Sequence, residues 1–553
     1  MDVRSRRVGG FLLVVAAAVC AAAFTGATAR GDNDAVNLPL THEHFNVVDP
    51  LSSSPDGTVG ESAFVNPPSP ICTTPGPSTD CEADAPHNET SIAINPTNTS
   101  NLLASANDYQ IRLSSGGQVN ETAFSRAHVS FDGGKTWSMY PINYGAYSFT
   151  GDPGVAFDAT GHAYLSTLGF RVSQGLATPT YVVPDVVVAT SSDGGKTWSS
   201  PTRVVNGTGS ANSRGLFNDK PMITAWGNGN AIVTWTEFND GIGGSYEGSP
   251  IFDSVTHDGG ASWSTPTEIS GSAPFCVGFG GGTQCDQDQG STPVVAADGS
   301  IYVSFISTAD NGPNFRDQYL VVKVDPASGA PVAGPFRVSG VIDGVTDYPI
   351  NIDGRQTYQD SEFRTWSLGN IAADPTNASH LAVVWSDMRN STLPAPADPY
   401  TAKTNSDIIV SQSFDGGKTW SRATALFSPG DQFMPWSAYD ASGRLRIGYF
   451  DRSYDPANHE YAYTLATETK DGSLTFRGQR VSGLSDPTQG DRWFSGSTPN
   501  PSFPHPTTFL GDYSGIATNS AVGVGSLWTD MTLTSCFPSR CGAAEHAFYA
   551  TSK

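Results

Sequence analysis

The sequence predicts an all-β fold assembled from repeated hairpins. One observation is a turn motif, Ser-x-Asp-Gly-Gly-Lys-Thr-Trp, which occurs at 130–137, 191–198 and 413–420 and in looser form at 256–263 and 469–476. A second, independent repeat consists of a short strand, a turn and a more apolar strand, and it recurs seven times. No segment shows a long helical period. The chain therefore consists of β-repeats rather than of mixed helices and strands.

The residue types of the turn motif are those of a tight β-turn. An aspartate carboxylate accepts hydrogen bonds from the backbone N–H groups that follow it, and glycine adopts positive φ without strain. The serine and threonine hydroxyls bond other turn groups, and the tryptophan covers the hairpin. A ligand site at each aspartate is the alternative. We favour a structural role and exclude these aspartates from the active site: Asp132, Asp193, Asp258, Asp415 and Asp471.

The motif resembles the Asp-box (BNR) repeat of sialidases and related β-propellers. At the level of repeat architecture the resemblance covers most of residues 87–550. It implies a single β-propeller. Seven hairpins, five of them followed by an Asp-box hairpin, predict seven four-stranded blades, because each pair of hairpins supplies four strands. Six blades, as in sialidases, is the alternative.

The first residues predict export. Arg4, Arg6 and Arg7 precede an apolar run at 11–24 and an Ala-x-Ala sequence at 27–29, the features of a signal peptide. We predict a signal peptide over 1–29, an irregular N-terminal arm over 30–86 that is a candidate donor of the strand closing the ring, and the propeller over 87–553. The apolar run is shorter than the roughly 20 residues of a membrane span. We therefore expect a secreted protein without a membrane span.

Charge and cysteines narrow the class of protein further. The net charge of −23 argues against nucleic-acid and anionic-membrane partners, which need clustered lysine and arginine. Outside the leader, the cysteines form three local pairs: Cys72 and Cys81, Cys276 and Cys285, Cys536 and Cys541. Six cysteines allow 15 pairings, of which proximity favours these three. Zinc is the alternative, but there is no Cys-x-x-Cys and no histidine at ligand spacing. Disulfides agree with export.

Alignment of the seven hairpins places one residue of each at the start of its first strand, which in a propeller lies beside the central channel. These residues are Glu89, Asp152, Asp219, Thr292, Leu368, Met434 and Asp512. If the ring closes, the four acids come from adjacent blades and make one half of the channel mouth acidic. Paired carboxyl groups are what glycoside hydrolysis requires, and clustered carboxylates also suit Ca²⁺. We take Asp152, Asp219, Glu89 and Asp512 as candidate catalytic residues, with strand capping as the alternative role.

The ends of the second strands supply a further set of charged residues. Glu237, Asp387 and Asp451 occupy these positions, and Arg389 and Arg452 follow two of them closely. Loops at the end of a scaffold strand often bind ligands. We take these five as candidate ligand-binding residues.

The resemblance also has implications for activity. Sialidases bind their substrate's carboxylate with three arginines and use an aspartate acid/base with a tyrosine nucleophile, whereas xyloglucan-cleaving propellers use paired aspartates. Here 87–109, where the first sialidase arginine would lie, contains no arginine. The candidates elsewhere are Arg364, Arg389, Arg452 and Arg492 for the later arginines and Tyr358 or Tyr513 for the nucleophile.

Three hypotheses follow. The first is a secreted glycoside hydrolase that acts through Asp152 and Asp219. The second is a non-catalytic glycan- or protein-binding propeller with Ca²⁺ at the acidic half of the mouth, and the third is an exo-sialidase. In each case we expect a glycan or glycoprotein ligand and a monomeric protein.

Overall fold

The structure, a computed structural model, is a β-propeller of seven sheets. It describes residues 36–39, 41–42, 59–63, 86–113, 119–173, 181–210, 213–241, 245–309, 315–344, 346–351, 354–391, 399–487, 509–520, 523–536 and 541–552. The predicted all-β propeller is confirmed, with seven blades rather than six. Over these ranges, the structure contains no helix that is long and apolar enough to cross a membrane.

The strands follow the chain blade by blade. The N-terminal arm contains β1 (Val36–Pro39), β2 (Thr41–His42) and β3 (Val59–Ala63). Blade one contains β4 (His87–Ile94), β5 (Leu102–Leu113), β6 (Val119–Ser125), β7 (Ala127–Ser130) and β8 (Ser138–Tyr140). Blade two contains β9 (Phe149–Phe157), β10 (Ala163–Ser173), β11 (Tyr181–Ser191) and β12 (Thr202–Val205). Blade three contains β13 (Thr208–Ser210), β14 (Ser213–Trp226), β15 (Asn230–Asp240), β16 (Ile251–Thr256) and β17 (Thr267–Glu268).

The remaining blades continue in the same order. Blade four contains β18 (Asp288–Val295), β19 (Ile301–Thr308), β20 (Asp317–Val324) and β21 (Pro331–Gly340). Blade five contains β22 (Asn370–Ala373), β23 (Leu381–Asp387), β24 (Asp407–Ser413) and β25 (Thr424–Phe427). Blade six contains β26 (Gln432–Tyr439), β27 (Leu445–Asp451), β28 (Ala462–Glu468) and β29 (Phe476–Arg480). Blade seven contains β30 (Gly515–Asn519), β31 (Gly523–Asp530) and β34 (His546–Ser552), and a hairpin of β32 (Thr534–Cys536) and β33 (Cys541–Ala543) precedes its last strand.

The ring closes between the last blade and the first. β4 lies against β30 and β31, and the Thr90 hydroxyl donates a 2.9 Å hydrogen bond to the Leu527 carbonyl. The arm strands add to the outer edges of three blades. β1 pairs with β25 and β2 with β29, both in parallel, and β3 pairs antiparallel with β34. The arm therefore covers sheet edges that would otherwise expose unpaired backbone groups.

The core lies between neighbouring blades rather than at one centre. Each pair of adjacent blades encloses a cluster of buried apolar side chains contributed by the facing strands. The tryptophans Trp235, Trp385 and Trp528 are fully buried in three of these clusters. The blades are held rigidly by apolar packing, so the residues at the inner strand ends have fixed positions.

The Asp-box turns have the structural role that the sequence predicts. Asp193 accepts backbone N–H bonds from Lys196 and Thr197, both at 2.9 Å, and a 2.7 Å bond from the Thr197 hydroxyl. The boxes at Asp132, Asp258 and Asp415 repeat the bond from the Thr or Ser hydroxyl at their seventh position. The box turn also contacts the preceding blade, since the Asn101 amide donates to the Gly194 carbonyl at 3.0 Å. These aspartates therefore act as clips.

The three cysteine pairs have different outcomes. Cys276 and Cys285 form a disulfide within the apolar cluster between blades three and four. Cys536 and Cys541 lie opposite each other on the β32–β33 ladder. Cys72 and Cys81 lie outside the described residues, as does the predicted leader over 1–29.

Candidate functional site at the channel mouth

The inner strands of several blades contain a bulge near the start of the strand. Pairing is interrupted there in β4, β9, β14 and β26. The first bulged residue has a left-handed backbone conformation: φ is 54° at Glu89, 56° at Asp152, 51° at Lys220 and 47° at Met434. Such a conformation in a residue other than glycine costs of order 1 kcal/mol or more and is often found at functional sites. The bulges direct the side chains of three charged residues to one place.

The carboxyl groups of Glu89, Asp152 and Asp512 lie around the ammonium group of Lys220. Lys220 Nζ lies 2.5 Å from Asp512 Oδ2, 3.6 Å from Glu89 Oε1 and 3.9 Å from Asp152 Oδ2. Arg364, from the insert between blades four and five, forms a two-pronged pair with Asp512, in which Nε donates to Oδ1 at 3.0 Å and Nη2 donates to Oδ2. Blades one, two, three and seven and one long loop thus contribute to a single cluster, which we call the mouth cluster: Glu89, Asp152, Lys220, Arg364 and Asp512.

Asn107 fixes the two carboxyl groups on the first two blades. Its Nδ2 donates to Glu89 Oε2 at 3.0 Å, and its Oδ1 accepts the backbone N–H of Asp152 at 2.9 Å. Asn107 lies on β5, so the amide bridges blade one to the bulge of blade two. Glu89 and Asp152 are held side by side as a result.

The side chains of Glu89 and Asp152 are hydrogen-bonded to each other, and the pKa of each carboxyl group is raised. Burial raises the pKa of Asp152 well above its usual range, and the neighbouring Glu89 carboxyl raises it further. Burial also raises the pKa of Glu89, against the lowering effect of Lys220. The Asp152 side chain is 15% exposed and that of Glu89 is 2% exposed. The pair therefore retains a proton at higher pH than ordinary carboxyl groups, and Asp152 is the member that solvent or a ligand reaches.

The pKa of Asp512 shifts in the opposite direction to those of Glu89 and Asp152. Although burial opposes it, the guanidinium of Arg364 and the ammonium of Lys220 hold the pKa of Asp512 well below its usual range. Asp512 in turn raises the pKa values of Arg364 and Lys220 against the effect of burial. The mouth cluster thus contains a carboxylate whose pKa is lowered by two neighbouring cations, beside a carboxyl pair whose pKa values are raised.

Aromatic rings border the two cations. Lys220 Nζ lies 5.5 Å from the centre of the Trp366 ring, and the Arg364 guanidinium lies 4.4 Å from that of Phe509. Tyr513 is buried and its hydroxyl donates to the Pro153 carbonyl at 3.3 Å. The rings limit the freedom of both cationic side chains.

The structure brings together the predicted acids of the first strands, with one correction. Glu89, Asp152 and Asp512 are members of the mouth cluster, and Asp219 interacts electrostatically with Asp152 and Lys220. The alignment took Asp219 as the equivalent of Glu89 and Asp152 at the start of the first strand, but the equivalent residue in the structure is Lys220. The half of the mouth expected to be acidic is therefore partly neutralised.

Lys220 was missed at the site although a local signal for it was present, and Arg364 was named only as a candidate for one of the later sialidase arginines. Asp152, Lys220 and Met434 are each followed by proline and are each the bulged residue of a first strand. Aligning the prolines rather than the acids would have placed Lys220 at the mouth. Arg364 carries no comparable signal, because it lies in an insert without a repeat.

Four of the residues predicted at the ends of the second strands, Asp387, Arg389, Asp451 and Arg452, form hydrogen bonds with other protein groups. Arg389 Nε donates to Asp387 Oδ1 at 2.9 Å, and Asp451 accepts the Ser453 backbone N–H at 2.9 Å. Arg452 is fully buried, and its Nη2 donates to the Ser361 hydroxyl at 2.6 Å. These contacts fix turns and loops.

Glu237 differs from the other members of that set. It is buried, and burial together with the neighbouring Glu268 raises its pKa to about 7.

Two places are relevant to metals. At the mouth, where the sequence suggested Ca²⁺, the ammonium group of Lys220 lies among the carboxylates. On a different part of the ring, Asp374, His380 and Asp471 are close enough to share an ion. However, both ring nitrogens of His380 have protein partners, Asp374 at 2.9 Å and the Tyr439 hydroxyl at 3.0 Å. Asp471, the aspartate of the degenerate box, is half exposed. These contacts tie the box to the preceding blade.

Comparisons with known proteins agree with the architecture. A family model described as "BNR/Asp-box repeat" matches residues 128–139. No match is found among curated proteins. A protein of unknown function from Dyadobacter fermentans is 11% identical, with a TM-score of 0.43, over 90% of this chain and 100% of its own.

Two enzyme structures are similarly distant. The α-L-arabinanase of Penicillium chrysogenum, complexed with arabinobiose, is 12% identical with a TM-score of 0.40, over 89% of this chain and 97% of its own. A Hadza microbial sialidase is 13% identical with a TM-score of 0.38, over 79% of this chain and 73% of its own. The Asp-box match and the seven sheets of the structure show a β-propeller with Asp-box repeats.

Proposed function

We propose that this chain is a secreted, carbohydrate-active propeller that hydrolyses a glycosidic bond at the mouth cluster. The observation that carries the proposal is the hydrogen-bonded Glu89–Asp152 pair, whose burial favours a retained proton. A carboxyl group whose pKa is raised can protonate a leaving glycosidic oxygen. The Asp-box repeat, which this chain shares with sialidase-like propellers, supports a glycan as the ligand.

The residues have distinct roles in this proposal. Asp152 is the proton donor, because its carboxyl is the more exposed of the pair. Glu89 and Asn107 hold it in place. Asp219 supplies the second carboxylate that glycoside hydrolysis requires, since Asp512 is bound by Arg364 and Lys220. Secretion of the protein agrees with the Cys276–Cys285 disulfide, because disulfides persist in oxidising compartments.

The test is product release from a panel of sialosides and of neutral and acidic polysaccharides. We expect that Asp152→Asn lowers release at least about 100-fold and that Asp219→Asn does the same, with unchanged circular dichroism. Asp298→Asn is the matched control, because Asp298 is an exposed turn residue whose acceptor role for the Ser300 N–H asparagine can keep. Release that survives both site substitutions, or no release from any substrate, would overturn hydrolysis.

The pH profile gives a second readout. Because burial raises the pKa of Asp152, a proton donor there stays active above the ordinary carboxyl range near 4. The rate should then fall as pH rises through that raised pKa. A rate limited on its alkaline side by a group near pH 4 would contradict the role of Asp152.

A non-catalytic glycan-binding propeller is the second candidate. The observation that favours it is the ion-pair network at the mouth, in which Lys220 contacts carboxylates from three other blades and thereby limits the movement that a catalytic carboxyl group would need. Saturable glycan binding with no turnover would identify this function. Ca²⁺ would then be tested by the change of melting temperature on adding EDTA.

A further inference from the structure

We propose that Asp512 acts as an internal counter-anion that restricts the mouth cluster to glycans without a carboxylate group. The inference rests on the proposed glycan site and names its substrate class. Recognition of the substrate class depends on the ion pairs of Asp512 with Lys220 and Arg364. It does not depend on the proton transfer that hydrolysis needs.

The pairing of the two cations is the first step. A guanidinium edge and an ammonium group that converge on one point form the donor arrangement that recognises a carboxylate. Here Arg364 Nε and Nη2 and Lys220 Nζ all converge on the Asp512 carboxylate. The protein's own side chain therefore occupies the position where a sugar carboxylate would bind.

Asp512 is also difficult to displace. Its side chain is 2% exposed, and both cations hold its pKa below the usual range. The preceding Gly511 has φ +90°, and a side chain there would collide with the Glu89 backbone, whose N lies 2.6 Å from the ideal Cβ position. Asp512 is thus fixed against blade one at the closure of the ring.

The remaining charge at the mouth repels anions. Within the described chain, Arg364 and Lys220 are the cations of the mouth cluster, and both are engaged by Asp512. Beyond that, an approaching ligand meets Asp219 and the Glu89–Asp152 pair, and a single proton on that pair still leaves carboxylate charge at the mouth. Placing like charges side by side at a desolvated site weakens binding. A uronic or sialic acid would bind poorly, whereas neutral sugars would meet hydrogen-bonding groups without repulsion.

The experiment compares binding of matched ligands by calorimetry. The probes are uronic-acid-containing oligosaccharides and the same oligosaccharides after reduction of the carboxyl group to an alcohol. We expect the wild-type protein to bind the reduced form at least about tenfold more tightly. Asp512→Asn, which leaves Arg364 and Lys220 without their counter-ion, should shift the ratio of affinities toward the acidic form by a similar factor.

A second variant moves the ratio in the opposite direction and protects the test against misfolding. Arg364→Gln removes the partly exposed cation and leaves Asp512 paired with Lys220, so discrimination against the acidic form should increase. Asp298→Asn changes net charge by the same amount as Asp512→Asn and should leave the ratio unchanged. A wild-type preference for the acidic form, or a ratio that neither mouth variant alters, would overturn the proposal.

The outcome is distinguishable from that of the proposed hydrolysis. Neutral-glycan binding without turnover would contradict hydrolysis and support the role of Asp512. Turnover of acidic substrates that is lost in Asp152→Asn would support hydrolysis and contradict the role of Asp512.

Discussion

The two ends of the blades use carboxylates in opposite ways. At the four Asp-box turns of Asp132, Asp193, Asp258 and Asp415, the acids are exposed, and neighbouring hydroxyl and N–H groups outweigh burial and lower their pKa, to about 2 at Asp193. At the mouth, burial raises the pKa of Glu89 and Asp152. A box aspartate has its partners within four residues, whereas Lys220 and Asp512 are 292 residues apart. The first arrangement stabilises a turn, and the second places reactive groups together.

The difference shows why repetition identified the box and not the site. Each box is a local structure that must recur wherever the turn recurs. The mouth cluster does not repeat, because the equivalent bulges carry different residues, namely Glu89, Asp152, Lys220 and Met434. Conformation repeats around the ring, while the chemistry does not.

The largest expected effect is the loss of the buried cation. Lys220→Met leaves Glu89, Asp152 and Asp512 with only Arg364 to balance them, so we expect a loss of about 3–5 kcal/mol in the free energy of unfolding at pH 7. The loss should shrink near pH 4, because Glu89 and Asp152, with raised pKa values, are then protonated. Urea unfolding at both pH values measures it.

The matched control is the lysine of an Asp-box. Lys196 lies over the Phe131 ring at 4.4 Å, and its backbone N–H, not its side chain, bonds Asp193. Lys196→Met should cost less than about 1 kcal/mol. Equal losses in the two variants would mean that the ion-pair network at the mouth contributes no special stability.

A lone buried acid tests whether burial alone explains the behaviour of the mouth. Asp253 is fully buried between blades three and four, and neither carboxyl oxygen has a hydrogen-bond partner in the described structure. Burial raises its pKa to about 8, above the unfolded value near 4. The folded state therefore holds the proton more tightly, and stability falls by about 1.4 kcal/mol per pH unit between pH 4 and 8.

Asp253→Asn should remove this slope. Relative to wild type, the variant gains stability as pH rises from 5 to 8, which urea unfolding at the two pH values measures, while glycan release should stay unchanged. Parallel stability profiles would refute the raised pKa. Loss of glycan release would show that raised pKa values outside the mouth also matter for activity.

Much of the fold could be predicted from the sequence, because its determinants are local. Three box copies and seven hairpins suffice for the blade number, and the box chemistry follows from residues within one turn. The acids at the mouth were predictable once the hairpins were aligned. The alignment assigned the position of Lys220 to the preceding residue, Asp219, because a bulge changes by one position which residue faces the channel. Arg364 depends on the path of an insert that no repeat specifies.

The smallest expected effect on stability concerns the Asp-box turn at Asp193, and its pH dependence has the opposite sign to that at Asp253. Asp193→Ala removes the acceptor for Lys196 N–H and for the Thr197 N–H and hydroxyl, and losing such a capping side chain costs about 1–2 kcal/mol. Since the folded pKa is about 2 and the unfolded value is near 3.9, this stabilisation is complete above pH 4 and disappears as pH falls toward 2. Unfolding at pH 6 and pH 2 should show the difference between variant and wild type closing, opposite to the trend at Asp253. A gap that stays constant would mean that Asp193 stabilises the turn by its shape and not by its charge.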